Sequence, residues 1–445
     1  SSTSANKPQP MLRSLRRCCP GRHPTPPLIL TGNPAMNPSH PNHPNHRTHR
    51  THRTPRLLKL IPLLLATGLL AGCLGDNDDG SPPRPVYTQQ VIFGDSLSDS
   101  GSYAVGAIAA AQGGKFTVNS VPATPQLWNE RIAADLGLPA PCAAQTGLEG
   151  DPALGLSAPI ADHPGCTNYA QGGARVSNPI GPRNKAVEPE VGYLTVPVAT
   201  QIGNHLARSG GQFSGNEIVF VFAGGNDFLW QSDTMTADIA ANLRPQINAD
   251  IASGACIPAD EAALNCLSGA IDRTITRLAP TYLTAMQQAG QQLASLINEQ
   301  ILAKGARRVV VLNLPDASKT PSMHNRSATV QAVGANLAQT FNAQLSAGLA
   351  NSLNDRVLLV DLFSRFNTWA ANPTAYGFSN FTDTACNLTK PVPNLLASSI
   401  LCTPANVIAG DISHYAFADG VHPTPYAHRQ MADDILTQMS NRGWR

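Results

Sequence analysis

The chain has 445 residues, with 31 Lys+Arg, 29 Asp+Glu and 12 His; 42% of its side chains are hydrophobic and only 13% are charged. Residues 1–73 hold 10 of the basic groups, none of the acidic ones and 6 of the histidines, which leaves 21 basic against 29 acidic groups, net −8, in the rest. That sign argues against a nucleic-acid partner, which needs clustered Lys and Arg, and the apolar content argues against a disordered chain.

Residues 1–56 are of low complexity, with HPNHPNHRTHRTHRTP over 40–55. Such a His tract can bind metal, but it holds no acidic residue and runs straight into an apolar segment, the arrangement of the basic region of a secretory signal. Met11 or Met36 is the expected translation start, and a start at Met36 would leave 1–35 untranslated. Leu57–Ala71, interrupted by Lys59 and Pro62, is short for a helix crossing about 30 Å of hydrocarbon and reads as a signal-peptide core. It ends in Leu70-Ala71-Gly72-Cys73, which resembles the bacterial lipobox. That resemblance implies a lipidated Cys73 as mature N-terminus and, through Leu74, an outer-membrane anchor; release by an ordinary signal peptidase is the alternative. Residues 74–85, rich in Asp, Gly and Pro, read as a flexible tether. The expected division is therefore leader and signal 1–73, tether 74–85 and one large domain 86–445, with export followed by anchoring or secretion.

Setting aside Cys18, Cys19 and Cys73, six cysteines remain: Cys142, Cys166, Cys256, Cys266, Cys386 and Cys402. They lack the paired spacing of a zinc site and are even in number, which points to disulfides in an oxidising compartment. Neighbour pairing, 142–166, 256–266 and 386–402, is one of the fifteen connectivities open to six cysteines. It is favoured because each pair brackets a stretch rich in Pro, Gly or Asn. Reduced, buried thiols are the other reading.

In chain order, Gln90–Phe93, Glu217–Phe222, Arg308–Asn313 and Arg356–Asp361 are short β-branched runs and read as strands buried on both faces, as in a parallel sheet. Thr281–Ala303, Ala328–Leu349 and Pro425–Met439 read as helices. The alternation predicts βαβ units in a doubly wound sheet, whose ligands bind at the carboxyl ends of the strands. The stretches 139–215 and 231–279 read as insertions rather than domains, of the kind that carry specificity.

Four segments carry the chemistry. Gly94-Asp95-Ser96-Leu97 puts a serine directly after the first strand, at an expected strand-to-helix turn where the N-terminus of the following helix offers backbone N–H groups to a developing oxyanion; the same letters also make a helix cap. Asn168-Tyr-Ala-Gln-Gly172-Gly173-Ala174 supplies glycines that let backbone approach a ligand. Gly224-Gly225-Asn226-Asp227 follows the strand at 217–222 and brings Asn226 to the same sheet edge as Ser96. Asp419-Gly-Val-His422 supplies a base and, three residues before it, a carboxylate to hold its tautomer.

Together and in this order the four segments resemble the GDSL or SGNH hydrolases, over Gln90 to about Met439. The resemblance implies a flavodoxin-like three-layer α/β/α sandwich. It also implies Ser96 as nucleophile, His422 as general base, Asp419 as its partner, and an oxyanion hole from Ser96 N–H, Gly173 and Asn226. Gly172 competes with Gly173, which is preferred because it lies five residues after Asn168. Ser102 stands where relatives commonly have Asn, and Leu312-Asn-Leu-Pro-Asp316 resembles the loop after the family's fourth strand.

The expected activity is a carboxylester hydrolase (esterase or lipase) working through an acyl-Ser96 intermediate on a small-molecule or lipid ester. Phospholipase or acyltransferase activity is the alternative. A carbohydrate deacetylase is disfavoured by 5% aromatic content, and a ligand-binding lipoprotein without catalysis is disfavoured by the four intact segments. No cofactor or metal is expected, since the chemistry has its own base and oxyanion donors. Asp95 and Asp227 read as local caps; His414 and His428 read as surface or structural residues.

Overall fold

The computed structural model describes residues 85–119, 126–257, 263–353, 355–390 and 394–445. The basic leader with its His tract, the apolar segment, Cys73 and all but the end of the tether lie outside the described residues.

The four apolar runs pair as one parallel sheet of β1 (Gln90–Gly94), β2 (Ile218–Phe222), β3 (Val309–Leu312) and β4 (Val357–Val360), in that spatial order. Gly94 stands opposite Phe222, Phe222 opposite Leu312 and Leu312 opposite Val360, so the carboxyl ends are level. Outside β1 the segment at Asn168 adds a bridge: Ile92 N–H donates to Thr167 O (3.0 Å) and Tyr169 N–H to Ile92 O (2.8 Å). Counting that bridge, the order along the sheet is second, first, third, fourth, fifth in sequence, the flavodoxin-like winding. The first and third members carry the crevice.

Side chains alternate across the sheet, and each face is covered by helices. Val91, Phe93, Val219, Val221, Val309 and Val311 pack with α2 (Val198–Arg208), α3 (Gly225–Ala252), α4 (Ala263–Leu296) and α5 (Ala328–Leu349). Ile92, Phe220, Phe222, Val310 and Leu358 pack with α1 (Trp128–Asp135), α6 (Leu362–Ala371) and α7 (Pro425–Asn441). Each fully buried Val, Leu, Ile or Phe contributes roughly 1.5–3 kcal/mol of transfer free energy, so both faces of every strand must be apolar. That is why the strands read as unbroken runs.

The stretch 231–279, read as an insertion that carries specificity, is helical over most of its described residues. It is the far part of an antiparallel pair, α3 and α4, joined at its tip by the Cys256–Cys266 disulfide. Arg273 pairs with Asp250 at 2.6 Å, Gln246 Nε2 donates to Asp250 (2.9 Å), and Arg277 donates to Asn242 (3.1 Å). The helix expected to begin at Thr281 begins at Ala263 and passes through Pro280, as α3 passes through Pro245. Proline costs about 3 kcal/mol inside a helix, so it reads as a boundary unless packing along the rest of the helix outweighs it. Residues 139–215 hold an antiparallel hairpin, Gln145–Glu149 with Ser157–Asp162, and helix α2. Cys142–Cys166 and Cys386–Cys402 are also bonded, so all three neighbour pairs are present.

Candidate active site

The helix expected directly after β1 is absent: 96–98 form a turn and the next helix starts at Gly106. Ser96 sits in this turn, which ends β1. Gly94 is required there: a Cβ on it would stand 2.4 Å from Phe222 O on the adjoining strand. Asp95 Oδ1 accepts Leu97 N–H (3.1 Å) and Asp95 O accepts Ser98 N–H (3.0 Å), which tightens the turn and presents Ser96 at the sheet's carboxyl edge. Asn226 lies in the first turn of α3, reached from β2 through Gly224, whose φ of 107° favours glycine. The side-chain amide of Asn226 donates to Ala174 O (2.9 Å), which ties the third segment to the second.

The structure separates the two glycines of the second segment. Gly172 N–H donates to Asp99 Oδ2 (2.9 Å) and is occupied. Gly173, at φ 81°, borders the cleft with Ser96, Asn226 and His422. Among the described residues neither Gly173 N–H nor Ser96 N–H donates to another group.

Asp419 and His422 stand in the loop between the strand Tyr415–Phe417 and α7. His422 Nε2 is 2.9 Å from Ser96 Oγ, and its Nδ1 is 2.9 and 2.8 Å from the two carboxylate oxygens of Asp419. Asp419 also accepts N–H bonds from Ser399 (2.8 Å), Val421 (3.0 Å) and His422 (2.9 Å). Burial alone would raise its carboxyl, but the His422 imidazole and these hydrogen bonds hold it well below the usual carboxylate range. An ionised, bonded Asp419 fixes the proton on Nδ1 and leaves Nε2 free to accept one from the serine. Phe116 packs against the imidazole with ring centroids 5.0 Å apart.

The two neighbouring aspartates differ. Asp95 is a local cap, and burial pushes its carboxyl up to about 7. Asp227 is not a local cap: it pairs with Arg175 (3.0 Å) and accepts Val176 N–H (2.9 Å) from the second segment. Arg175 in turn covers the Trp230 ring at 5.1 Å. Nothing in the sequence announces this long-range clasp. His414 is exposed and stacks on Tyr426. His428 is fully buried in α7, with neither ring nitrogen hydrogen-bonded among the described residues, and burial lowers it to about 3.

Two compartments meet at Ser96 and His422. One is apolar and bordered by Phe228, Leu229, Leu314, Pro315, Ala338 and Val421. The other is bordered by Phe116, Gly173, Arg183, Tyr193, Ser398 and Gly420. Among the described residues no three His, Cys, Asp or Glu side chains cluster to hold a metal ion, and no helix is long and apolar enough to cross a membrane.

The family model for GDSL-like lipases and acylhydrolases matches residues 91–435. A GDSL esterase/lipase of Arabidopsis thaliana is 28% identical over 153 residues, 31% of this chain and 39% of that relative. The anther-specific proline-rich protein APG of the same plant is 30% identical over 148 residues, 31% of this chain and 26% of its own. The match thus spans about two fifths or less of these curated relatives. Among solved structures, an extracellular lipase from Streptomyces rimosus aligns with 79% of this chain and 99% of its own, at 14% identity and TM-score 0.36.

Proposed function

The chain belongs to the family of GDSL-like lipases and acylhydrolases, and from that premise we propose that it hydrolyses carboxylic esters through an acyl intermediate on Ser96. The observation that carries this reading is the relay Asp419, His422 Nδ1, His422 Nε2, Ser96 Oγ, with every link between 2.8 and 2.9 Å. Ser96 Oγ attacks the ester carbonyl while its proton passes to His422 Nε2. The resulting imidazolium is stabilised by Asp419, already ionised and bonded to Nδ1. Charge on the carbonyl oxygen is met by Ser96 N–H, Gly173 N–H and the Asn226 amide. His422 then gives its proton to the leaving alcohol. Water, deprotonated by the same imidazole, attacks the acyl carbonyl and frees the acid and Ser96.

The acyl part is assigned to the apolar compartment beside Phe228, Leu229 and Leu314. Residues 86–445 form the hydrolase domain on this reading, and the protein works outside the cytoplasm. Three disulfides support that placement, as does the lipobox-like run ending in Cys73, proposed as the site of a lipid anchor. Labelling with a radioactive fatty acid tests the anchor: incorporation lost in Cys73→Ser is expected, and undiminished incorporation contradicts it.

Hydrolysis of p-nitrophenyl esters from C2 to C16 tests the activity. Wild-type turnover that vanishes in Ser96→Ala is the expected outcome, with the optimum chain length set by the apolar compartment. Equal turnover by the folded variant removes Ser96 from the mechanism.

A further inference from the structure

The second compartment has a chemistry that ester hydrolysis alone does not require. Resting on the reading of Ser96 as nucleophile, we propose that this compartment is a subsite for the alcohol part of the ester and selects alcohols that carry a phosphate or similar oxyanion. The acyl chain then lies on the Phe228 side of Ser96 and the charged alcohol on the Arg183 side.

Three observations carry the inference. Arg183 borders the compartment, and among the described residues no carboxylate pairs with it; the one hydrogen bond of its side chain is from Nη2 to Leu396 O, at 3.0 Å. That bond orients the guanidinium and leaves its other N–H groups to meet a planar or tetrahedral oxyanion. Tyr193 borders the same space and is 1% exposed, yet its hydroxyl has no hydrogen-bond partner among the described residues. An unpaired buried hydroxyl costs on the order of 1–3 kcal/mol, and a ligand oxygen would satisfy it. Burial pushes the phenol upward, against the pull of Arg183, so it stays a proton donor.

Third, Arg183 (φ 65°) and Ala397 (φ 47°), both on this wall, occupy the left-handed region that non-glycine residues avoid. Such strain persists where surrounding structure over-determines it, as around binding sites. Three acidic groups act nearby: Asp99, Glu188 and Asp419. Asp99 and Asp419 are already engaged by hydrogen-bond donors, Asp99 by the N–H groups of Gly101, Ser102 and Gly172 and Asp419 by His422 and the Ser399 and Val421 N–H groups. Glu188 is exposed, so water and salt screen it.

The test compares two esters of one acyl chain below their micelle concentrations: 1-octanoylglycerol 3-phosphate and 1-octanoylglycerol. The readout is the ratio of their kcat/KM values in the intact protein. Wild type should favour the phosphate ester by about tenfold, mainly through KM, the size expected for one charge-assisted contact. Arg183→Gln should bring the ratio near one, and Arg183→Lys should keep part of it. Tyr193→Phe should lower the ratio a few-fold without lowering Tm, because it removes a hydroxyl that nothing else in the fold uses.

A ratio unchanged in Arg183→Gln, or a wild-type preference for the neutral ester, overturns the subsite. So does cleavage of p-nitrophenyl octanoate with neither glyceryl ester touched, which leaves the Ser96 chemistry standing. If p-nitrophenyl octanoate is not cleaved either, the reading of Ser96 fails and takes the subsite with it.

Discussion

A serine hydroxyl is a poor nucleophile at its own pKa, and in the proposed mechanism the residues around Ser96 address that in separable ways. Asp419→Asn preserves shape but lets His422 take the wrong tautomer, so kcat should fall roughly 10^3–10^4-fold with KM little changed. Asn226→Ala removes one oxyanion donor and should cost about 10^2–10^3 in kcat; steady-state kinetics on one ester reads both. Asp95 gives a pH signature. The folded protein holds its proton up to about 7, whereas the ordinary value is 3.8. Its contribution to stability is present below 3.8 and is lost as pH rises through 7. An amide in its place stays neutral, so Asp95→Asn should gain on wild type between pH 5 and 8 by roughly 2–3 kcal/mol, measured by urea unfolding at each pH. Asp419 behaves oppositely: its stabilisation is present above the ordinary carboxylate value and fades as acid protonates it. The residues of this relay were legible because each follows a strand in a short motif. Arg175 with Asp227, and Arg183 with Tyr193, were not, since their roles depend on partners 52 and 10 positions away that only the folded chain brings close.

At the level of elements, three turns at one sheet edge do the positioning. Gly94, Gly224 and Gly173 each stand where a side chain would strike backbone or packed side chains. Gly94→Ala would press a methyl onto Phe222 O and part β1 from β2, at a cost of about 1–3 kcal/mol or more. Denaturant unfolding measures the cost, and activity should fall with it because Ser96 and Asn226 flank that junction. The four strands and the helix Ala328–Leu349 were legible because burial imposes unbroken or periodic apolar patterns. The far part of the pair α3 and α4, residues 231–279, was not, although α4 beyond Pro280 was read as a helix: Pro245, Pro280 and a small-residue, amide-rich sequence mask a helical rod held by an ion pair and packing. Cys256 and Cys266 at its tip are not among the residues that border either compartment. Replacing Cys256 and Cys266 by Ser should therefore cost up to about 3 kcal/mol locally. Amide exchange should rise near the tip, with ester hydrolysis intact.

For the molecule as a whole, the winding of the sheet decides where chemistry can occur. The bridge at Asn168 lies outside β1 and the next strand, β2, lies on its other side, so the chain reverses direction across β1 and opens a crevice there. Segments far apart in sequence, near residues 96, 173, 226 and 422, converge on that crevice. The order of the motifs was readable without coordinates; their convergence needed the fold. One experiment addresses the central claim that Ser96 is an activated nucleophile. Residues 74–445 are treated with a fluorophosphonate, and the adduct is located by peptide mass mapping. A single phosphonylated site at Ser96, lost in His422→Ala as well as in Ser96→Ala, is the predicted result. An unlabelled folded protein, or an adduct on another serine, would contradict it.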